Sequence, residues 1–249
     1  TRVQCDDHGQ EWHGFFGRRR QGQVCEIREL TLPASGTLDV DARDNGSVRV
    51  TGWDKPQVLV RAEVRAWGDD EDEAHKIDDQ VKIRTDSTIR ADGPDRGQSG
   101  GRRGWSVNYE IFTPRRIDLR LDAGNGGISI EDVHGDIDFE TTNGGVSLSG
   151  LGGDVHGRTT NGGLDVTLTG ATWDGKGLDV STTNGGVDLR VPKDYSARLD
   201  ARTVNGGMHT DIPITVQGRI GRKLSGTLGK GGPLLSVRTT NGGVHVSDR

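Results

Sequence analysis

No apolar run in this sequence reaches the length of about 18 residues that a membrane-spanning helix needs, so none of it reads as a membrane span. Hydrophobic residues fill only 30% of the 249 positions and aromatic ones 4%, a balance that points to many turns per unit length. Neither sign of charge dominates. The net charge is −5 with both signs interspersed, which excludes the basic stripe of a nucleic-acid binder and the acidic run of a solvating tail. The chain begins at Thr1 with neither Met nor an apolar targeting segment, which fits a removed signal peptide. Phosphate loops are excluded because no Gly-Lys-Ser or Gly-Lys-Thr follows the glycines. The calcium-binding Gly-Gly-x-Gly-x-Asp pattern is absent as well. No cofactor is implied.

Cysteine is nearly absent too. Only Cys5 and Cys25 occur, and bridging them would stabilise the fold by roughly 3 kcal/mol on a chain-entropy basis. Two reduced thiols in a cytosolic protein are the alternative. The even count and close spacing favour a disulfide and an oxidising compartment outside the cytoplasm, whether periplasm, cell surface or medium.

What the sequence has is glycine, 40 residues of it, in a recurring phrase. Asn-Gly-Gly begins at Asn125, Asn143, Asn161, Asn184, Asn205 and Asn241, at intervals of 18, 18, 23, 21 and 36 residues. The last interval reads as two units of which one has lost its turn. Strand side chains switch faces at every residue, and apolar pairs flank each phrase accordingly. Leu119/Leu121, Ile137/Phe139, Leu178/Val180, Leu199/Ala201 and Leu235/Val237 precede it; Ile128/Ile130, Val146/Leu148, Leu164/Val166, Val187/Leu189 and Val244/Val246 follow it. Val133 and Leu151 would seal the far corner. Each unit thus offers two short strands with one apolar face and must stack on its neighbours. The fold expected is all-β: one parallel, right-handed β-helix or solenoid with coils of ~18 residues, like above like at the ~4.8 Å strand spacing. Antiparallel hairpins are the rival, since Asn-Gly is also a hairpin signal, but hairpins would not require the same Thr-Thr-Asn-Gly-Gly phrase at every restart. In these turns Asn is expected to tolerate a left-handed backbone and Gly to supply positive φ, with Asn amides hydrogen-bonding from coil to coil.

The N-terminal half is less regular. Val40, Ala42, Val48 and Val50 around Asn45-Gly46, then Val58 to Ala66 in alternation, predict strands of earlier, wider coils. Ala74, Ile77 and Val81 after an acidic start predict one short helix from Glu71. Composition predicts a mobile loop from Gly93 to Gly104, followed by a strand through Trp105, Val107, Tyr109 and Ile111 to Pro114. The organisation expected is an arm or cap over 1–25 tied by the disulfide, irregular β coils with the helix over 26–115, and the regular solenoid over 116–249, the last two forming one continuous domain. In the arm, His8 and His13 with Asp6, Asp7 and Glu11 match no strong zinc spacing. Arg18-Arg19-Arg20 beside Phe15 and Phe16 could meet an anionic surface, but a cap over the solenoid end uses the same aromatics.

Three phrases carry a resemblance: Gly52-Trp53-Asp54, the run from Trp105 to Pro114, and the repeated Thr-Thr-Asn-Gly-Gly-Val. The chain resembles the bacterial "putative adhesin" family of extracytoplasmic β-helical domains of unknown function, over roughly Glu26 to Arg249. The resemblance implies a β-helix outside the cytoplasm. It brings no catalytic motif, and the first 25 residues lie outside it.

The outward positions hold the candidate sites. Three residues before each Asn stand Asp122, Glu140, Arg158, Ser181, Arg202 and Arg238; five before stand Arg120, Asp138, His156, Asp179, Asp200 and Ser236. In register, Glu140 falls beside Arg158, and Asp138 between Arg120 and His156. Matched charges of this kind fix register on a solvated face. The same Asp138, Glu140, His156 and Arg158 could instead form the acid/base cluster of a glycan-active lyase or hydrolase. Asp118, Asp136 and Asp154, each seven residues before an Asn, would stack as like charges that splay apart or hold a cation. A complete last repeat, followed only by Ser247, Asp248 and Arg249, suggests an open coil able to join copies head to tail into a filament. The function expected is a non-catalytic extracytoplasmic scaffold that binds an unknown macromolecule (a glycan or an envelope protein) or itself. The alternative is a glycan-active β-helical enzyme, a polysaccharide lyase or hydrolase.

Overall fold

The computed structural model describes residues 1–5, 22–34, 36–42, 46–95, 103–212, 215–216 and 221–249. The N-terminal elements are β1 (Arg2–Gln4), β2 (Gln23–Pro33), β3 (Thr37–Ala42), β4 (Val48–Trp53), β5 (Gln57–Trp67), α1 (Glu71–Gln80), β6 (Lys82–Arg84), β7 (Ile89–Asp92) and β8 (Gly104–Pro114). The repeats follow as β9 (Asp118–Ala123), β10 (Ile128–Glu131), β11 (His134–Asn143), β12 (Val146–Ser149), β13 (Gly152–Asn161), β14 (Leu164–Thr167), β15 (Gly177–Asn184) and β16 (Val187–Val191). The chain closes with β17 (Ala197–Asn205), β18 (Met208–Thr210), β19 (Thr215–Val216), β20 (Lys223–Leu228), β21 (Leu234–Asn241) and β22 (Val244–Asp248).

These strands form two sheets. The first runs β1-β2-β5-β8-β4-β10-β12-β14-β16-β22-β18, the second β19-β20-β17-β21-β15-β13-β11-β9-β3-β7-β6. Each repeat gives one strand to each sheet, with Asn-Gly-Gly at the corner between them. Neighbouring repeats pair in parallel with like over like: Ile128 beside Val146, Leu119 beside Ile137. The apolar pairs of the repeats are all buried, in one cluster that runs from Leu38 to Val246. Five extra residues in the interval before Asn184 widen one corner, where Trp173 is buried and its indole N–H donates to the Gly153 carbonyl at 3.0 Å.

Two expectations do not hold. The N-terminal strands are not wider coils throughout: β5 pairs antiparallel with both β2 and β8. Val58, Val60, Ala62, Val64 and Ala66 are buried along an eleven-residue strand that contains no turn phrase, so both neighbours run against it. β3 and β4 form one layer of the parallel stack beside β9 and β10, and β7 and β8 run parallel to them on the far side.

The interval from Asn205 to Asn241 is not two coils, and the last repeat is not the last layer. β21 lies between β15 and β17, and β22 between β16 and β18. After β17 and β18 the chain makes an excursion in which β20 runs antiparallel to β17, burying Leu224 and Leu228, before returning to fill the gap. Val246 is therefore paired on both sides, and the edge of this sheet is β18 rather than the last repeat. Like-over-like stacking is satisfied by any layer order, so periodicity alone could not reveal the inversion.

At the other end, α1 starts where Asp70 accepts the Glu73 N–H at 2.8 Å. Asp78, buried near its C-terminus, takes the Arg28 guanidinium at 2.9 Å, which docks the helix on β2. β1 pairs antiparallel with β2, and Cys5 is bridged to Cys25 with Cα atoms 5.5 Å apart. His8, His13, Asp6, Asp7, Glu11, Phe15, Phe16 and Arg18 to Arg20, with Asn45 and most of the Gly93–Gly104 segment, lie outside the described residues.

Candidate functional site

The repeated phrase builds a ladder along one corner. Each Asn side chain donates its amide to the next Asn carbonyl: Asn143 to Asn125, Asn161 to Asn143 and Asn184 to Asn161 at 2.8 Å, then Asn241 to Asn184 at 2.7 Å and Asn205 to Asn241 at 2.9 Å. The first Thr is as regular. Thr141, Thr159, Thr182, Thr203 and Thr239 are buried and each donates its hydroxyl at 2.8 Å to the carbonyl of the first Gly in the neighbouring layer.

The glycines act differently from expectation. No Asn of the ladder has positive φ; Asp132 at 55° is the one non-glycine residue that does among the described residues. Gly126, Gly144, Gly162, Gly185 and Gly206 do not have it either, and Gly242, at 158°, is nearly extended. What the first Gly supplies is room. A Cβ on Gly144 would sit 2.1 Å from the Gly126 carbonyl oxygen, and one on Gly162 2.1 Å from that of Gly144. The second Gly is looser, with 3.7 Å from Gly145 to the nearest oxygen. Gly52 is held likewise, 1.9 Å from the Asp132 carbonyl oxygen at the Cβ position, while Asp54 accepts from Arg115 at 2.9 Å and Trp53 stacks on Phe112 with centroids 5.5 Å apart.

The outer face of the second sheet carries the charged positions. Glu140 accepts from Arg158 at 2.8 Å, and Asp138 stands in register between Arg120 and His156. His156 turns from Asp138 to Asp154, 2.9 Å away. Asp154 also takes the Lys176 ammonium at 2.8 Å, and that contact holds its carboxyl below the usual range. Asp118, Asp136 and Asp154 do adjoin. Their repulsion is met by local partners: Asp118 accepts the Asp136 backbone N–H at 2.8 Å, and Asp154 has Lys176 and His156.

Beside this ladder lies a shallow open groove of about 510 Å³, lined by Arg116, Asp118, His134, Asp174 and backbone glycines. His134 Nδ1 stands 3.5 Å from Asp174. The widened corner before β15 brings Asp174 here, across two layers, and no spacing rule in the sequence placed these residues together. A second cluster that the sequence reading passed over was legible. His209 and His245 each stand four residues after an Asn, so they share a row, with Asp211 next to them.

A family model described as "Toastrack DUF4097" matches residues 115–247, more than half of the chain. The chain belongs to this family. The Toastrack match covers the whole Asn ladder and both candidate clusters. No curated protein matches. Among solved structures, a "putative cell adhesion protein" from Clostridium sporogenes shares 12% identity at a TM-score of 0.46, covering 91% of this chain and 100% of its own. A "putative adhesin" from Bacteroides fragilis shares 9% at 0.36, covering 90% and 97%. A "putative lipid binding protein" from Parabacteroides distasonis shares 7% at 0.30, covering 89% and 96%. No helix among the described residues is long and apolar enough to cross a membrane.

Proposed function

We propose that this Toastrack protein is a non-catalytic extracytoplasmic scaffold that binds a macromolecule, a glycan or an envelope protein, through its broad outer faces. The observation that carries this reading is the placement of Asp138, Glu140, His156 and Arg158. They project from β11 and β13 onto an open sheet face, Glu140 is engaged by Arg158, and none of the four lines the corner groove. Acid/base work on a glycan calls for convergent groups in a concave site. A face of paired charges on straight strands suits recognition by complementarity instead.

The Cys5–Cys25 bridge supports an oxidising compartment. Partners 18 residues apart in register, with the strong right-handed bias of parallel crossovers, support a right-handed solenoid of ~18-residue coils. The single core from Leu38 to Val246 supports one continuous domain over 26–249 with 1–25 as a tethered arm. On this reading the Asp118, Asp136 and Asp154 ladder is structural and needs no cation, and self-association is not required.

The test is incubation of the full chain with a panel of polysaccharides and purified envelope proteins, scoring both retention and new saccharide ends. The expected result is saturable retention of at least one component without product, weakened by the pair Asp138→Asn and Asp179→Asn with the fold retained by circular dichroism. Product formation that is lost in a folded Glu140→Ala variant would overturn the proposal in favour of a glycan-active enzyme.

A further inference from the structure

The outer face of the first sheet carries a row four residues after each Asn. In layer order it reads Ser129, Ser147, Asp165, Asp188, His245, His209. The row changes from hydroxyls to carboxylates to imidazoles as it nears the sheet edge, where β18 is only three residues long. His209 lies on that edge strand directly across from His245 on β22, with ring centroids 5.4 Å apart. Asp211 is two residues past His209 and so returns to the same face. Its backbone N–H donates to the Val246 carbonyl at 2.9 Å, which fixes it beside β22.

Asp211 faces both rings through their Nε2 atoms, at 2.8 Å from His209 and 2.9 Å from His245. One donor atom from each of the three residues lies within 4.8 Å of the others. His245 has a second carboxylate on its other side: Asp188 Oδ1 is 3.4 Å from Nδ1. A neutral imidazole has one N–H. With a carboxylate at each nitrogen, one bare lone pair faces an oxygen unless a second proton or a metal ion occupies that position. With its Nδ1–H turned to Asp188 in the manner of a carboxylate–histidine–metal relay, the ring would present its Nε2 lone pair to a metal ion beside Asp211.

We propose that His209, Asp211 and His245 form a binding site for a divalent transition metal ion of the zinc class, oriented by Asp188, which staples the edge strand β18 to β22. Two imidazoles and a carboxylate suit zinc, nickel or copper rather than calcium or magnesium. Tetrahedral ligands at about 2.0 Å from zinc stand about 3.3 Å apart. The 2.8 and 2.9 Å contacts run to opposite oxygens of Asp211, so the donor atoms reach that spacing by rotation of these exposed and half-exposed side chains. The fourth position opens to solvent. The inference is independent of what the outer faces bind.

Asp211 and Asp188 favour the charged imidazolium of His245 and hold its pKa above the ordinary value, while Asp211 is held below its own. A proton and a metal ion compete for the same nitrogen, so binding weakens as pH falls from 8 towards 6.

The test is calorimetric titration of the metal-free full chain with Zn²⁺ at pH 7.5, alongside Co²⁺ followed by its visible spectrum. The expected result is one zinc per chain, a rise in melting temperature that saturates with it, tetrahedral-type cobalt bands, and no response to Ca²⁺. The double variant His209→Ala/His245→Ala loses the heat, the bands and the thermal shift, whereas His156→Ala keeps them. Asp211→Asn, which barely changes volume, weakens binding at least tenfold and serves if the double variant fails to fold. Zinc bound at His8 and His13 would survive both sets of substitutions. No saturable zinc binding by the native chain, or binding unchanged in these variants, overturns the proposal.

Discussion

Gly144 and Gly145 are adjacent and chemically identical, yet the stack treats them differently. A methyl group on Gly144 would meet a backbone oxygen at 2.1 Å, one on Gly145 only at 3.7 Å. Gly144→Ala must push two layers apart and is expected to cost about 1–3 kcal/mol or more. Gly145→Ala is expected to stay within about 0.5 kcal/mol of the parent. Urea denaturation of the two variants checks this, and equal costs would contradict the close-approach account. The sequence made the phrase visible and left its physics ambiguous, because glycine serves positive φ and close approach alike. The identity of the atom opposite each Gly belongs to another layer of the stack. The first Thr was similarly legible as a repeat, but its bond to that same glycine's carbonyl became apparent only once the layers were in register.

Among the elements, α1 was readable from its acidic start and from Ala74, Ile77 and Val81, but not how it docks. The link is Arg28, whose guanidinium meets Asp78, the Asp78 and Val81 carbonyls and Glu26, with 7% of its side chain exposed. Burial pushes the Asp78 carboxyl up and the Arg28 charge pulls it back. Removing one partner of a buried pair leaves the other charge uncompensated, at a cost of about 3–5 kcal/mol. Arg28→Ala is expected to lose that much in a chemical melt, with earlier loss of helical signal. A loss below about 1 kcal/mol would place the docking energy elsewhere. Nothing near Arg28 in sequence announced the docking contact, since its partners at the helix lie fifty or more residues on. Most repeat strands were the opposite case: alternation alone marked their inward pairs, because two-residue periodicity is local and burial follows from it. It did not mark the pair of β13, where Gly157 takes the second inward place beside the Phe139 ring, nor that of β18.

At the scale of the whole molecule, alternation named the faces but not the order of the layers. Strands β21 and β22 insert between earlier ones, so the molecule ends on an excursion that leads through β20 rather than on its last repeat. The corner groove and the histidine row both depend on long-range placement, the first through the widened corner at Asp174, the second through the inverted order that sets His209 outside His245. The most direct test of this architecture is paired cysteine cross-linking across the second sheet. Ser181 is in register with Arg238, and Arg238 with Arg202, so Ser181 and Arg202 are two strands apart. Cα atoms of neighbouring strands lie within disulfide reach, and those two strands apart do not. Under mild oxidation, Ser181→Cys/Arg238→Cys and Arg202→Cys/Arg238→Cys should each form an intramolecular bridge detectable by peptide mass mapping, while Ser181→Cys/Arg202→Cys should remain free. A bridge in the last pair, with none in the first, would show that the layers stack in sequence order and would contradict the inverted stack.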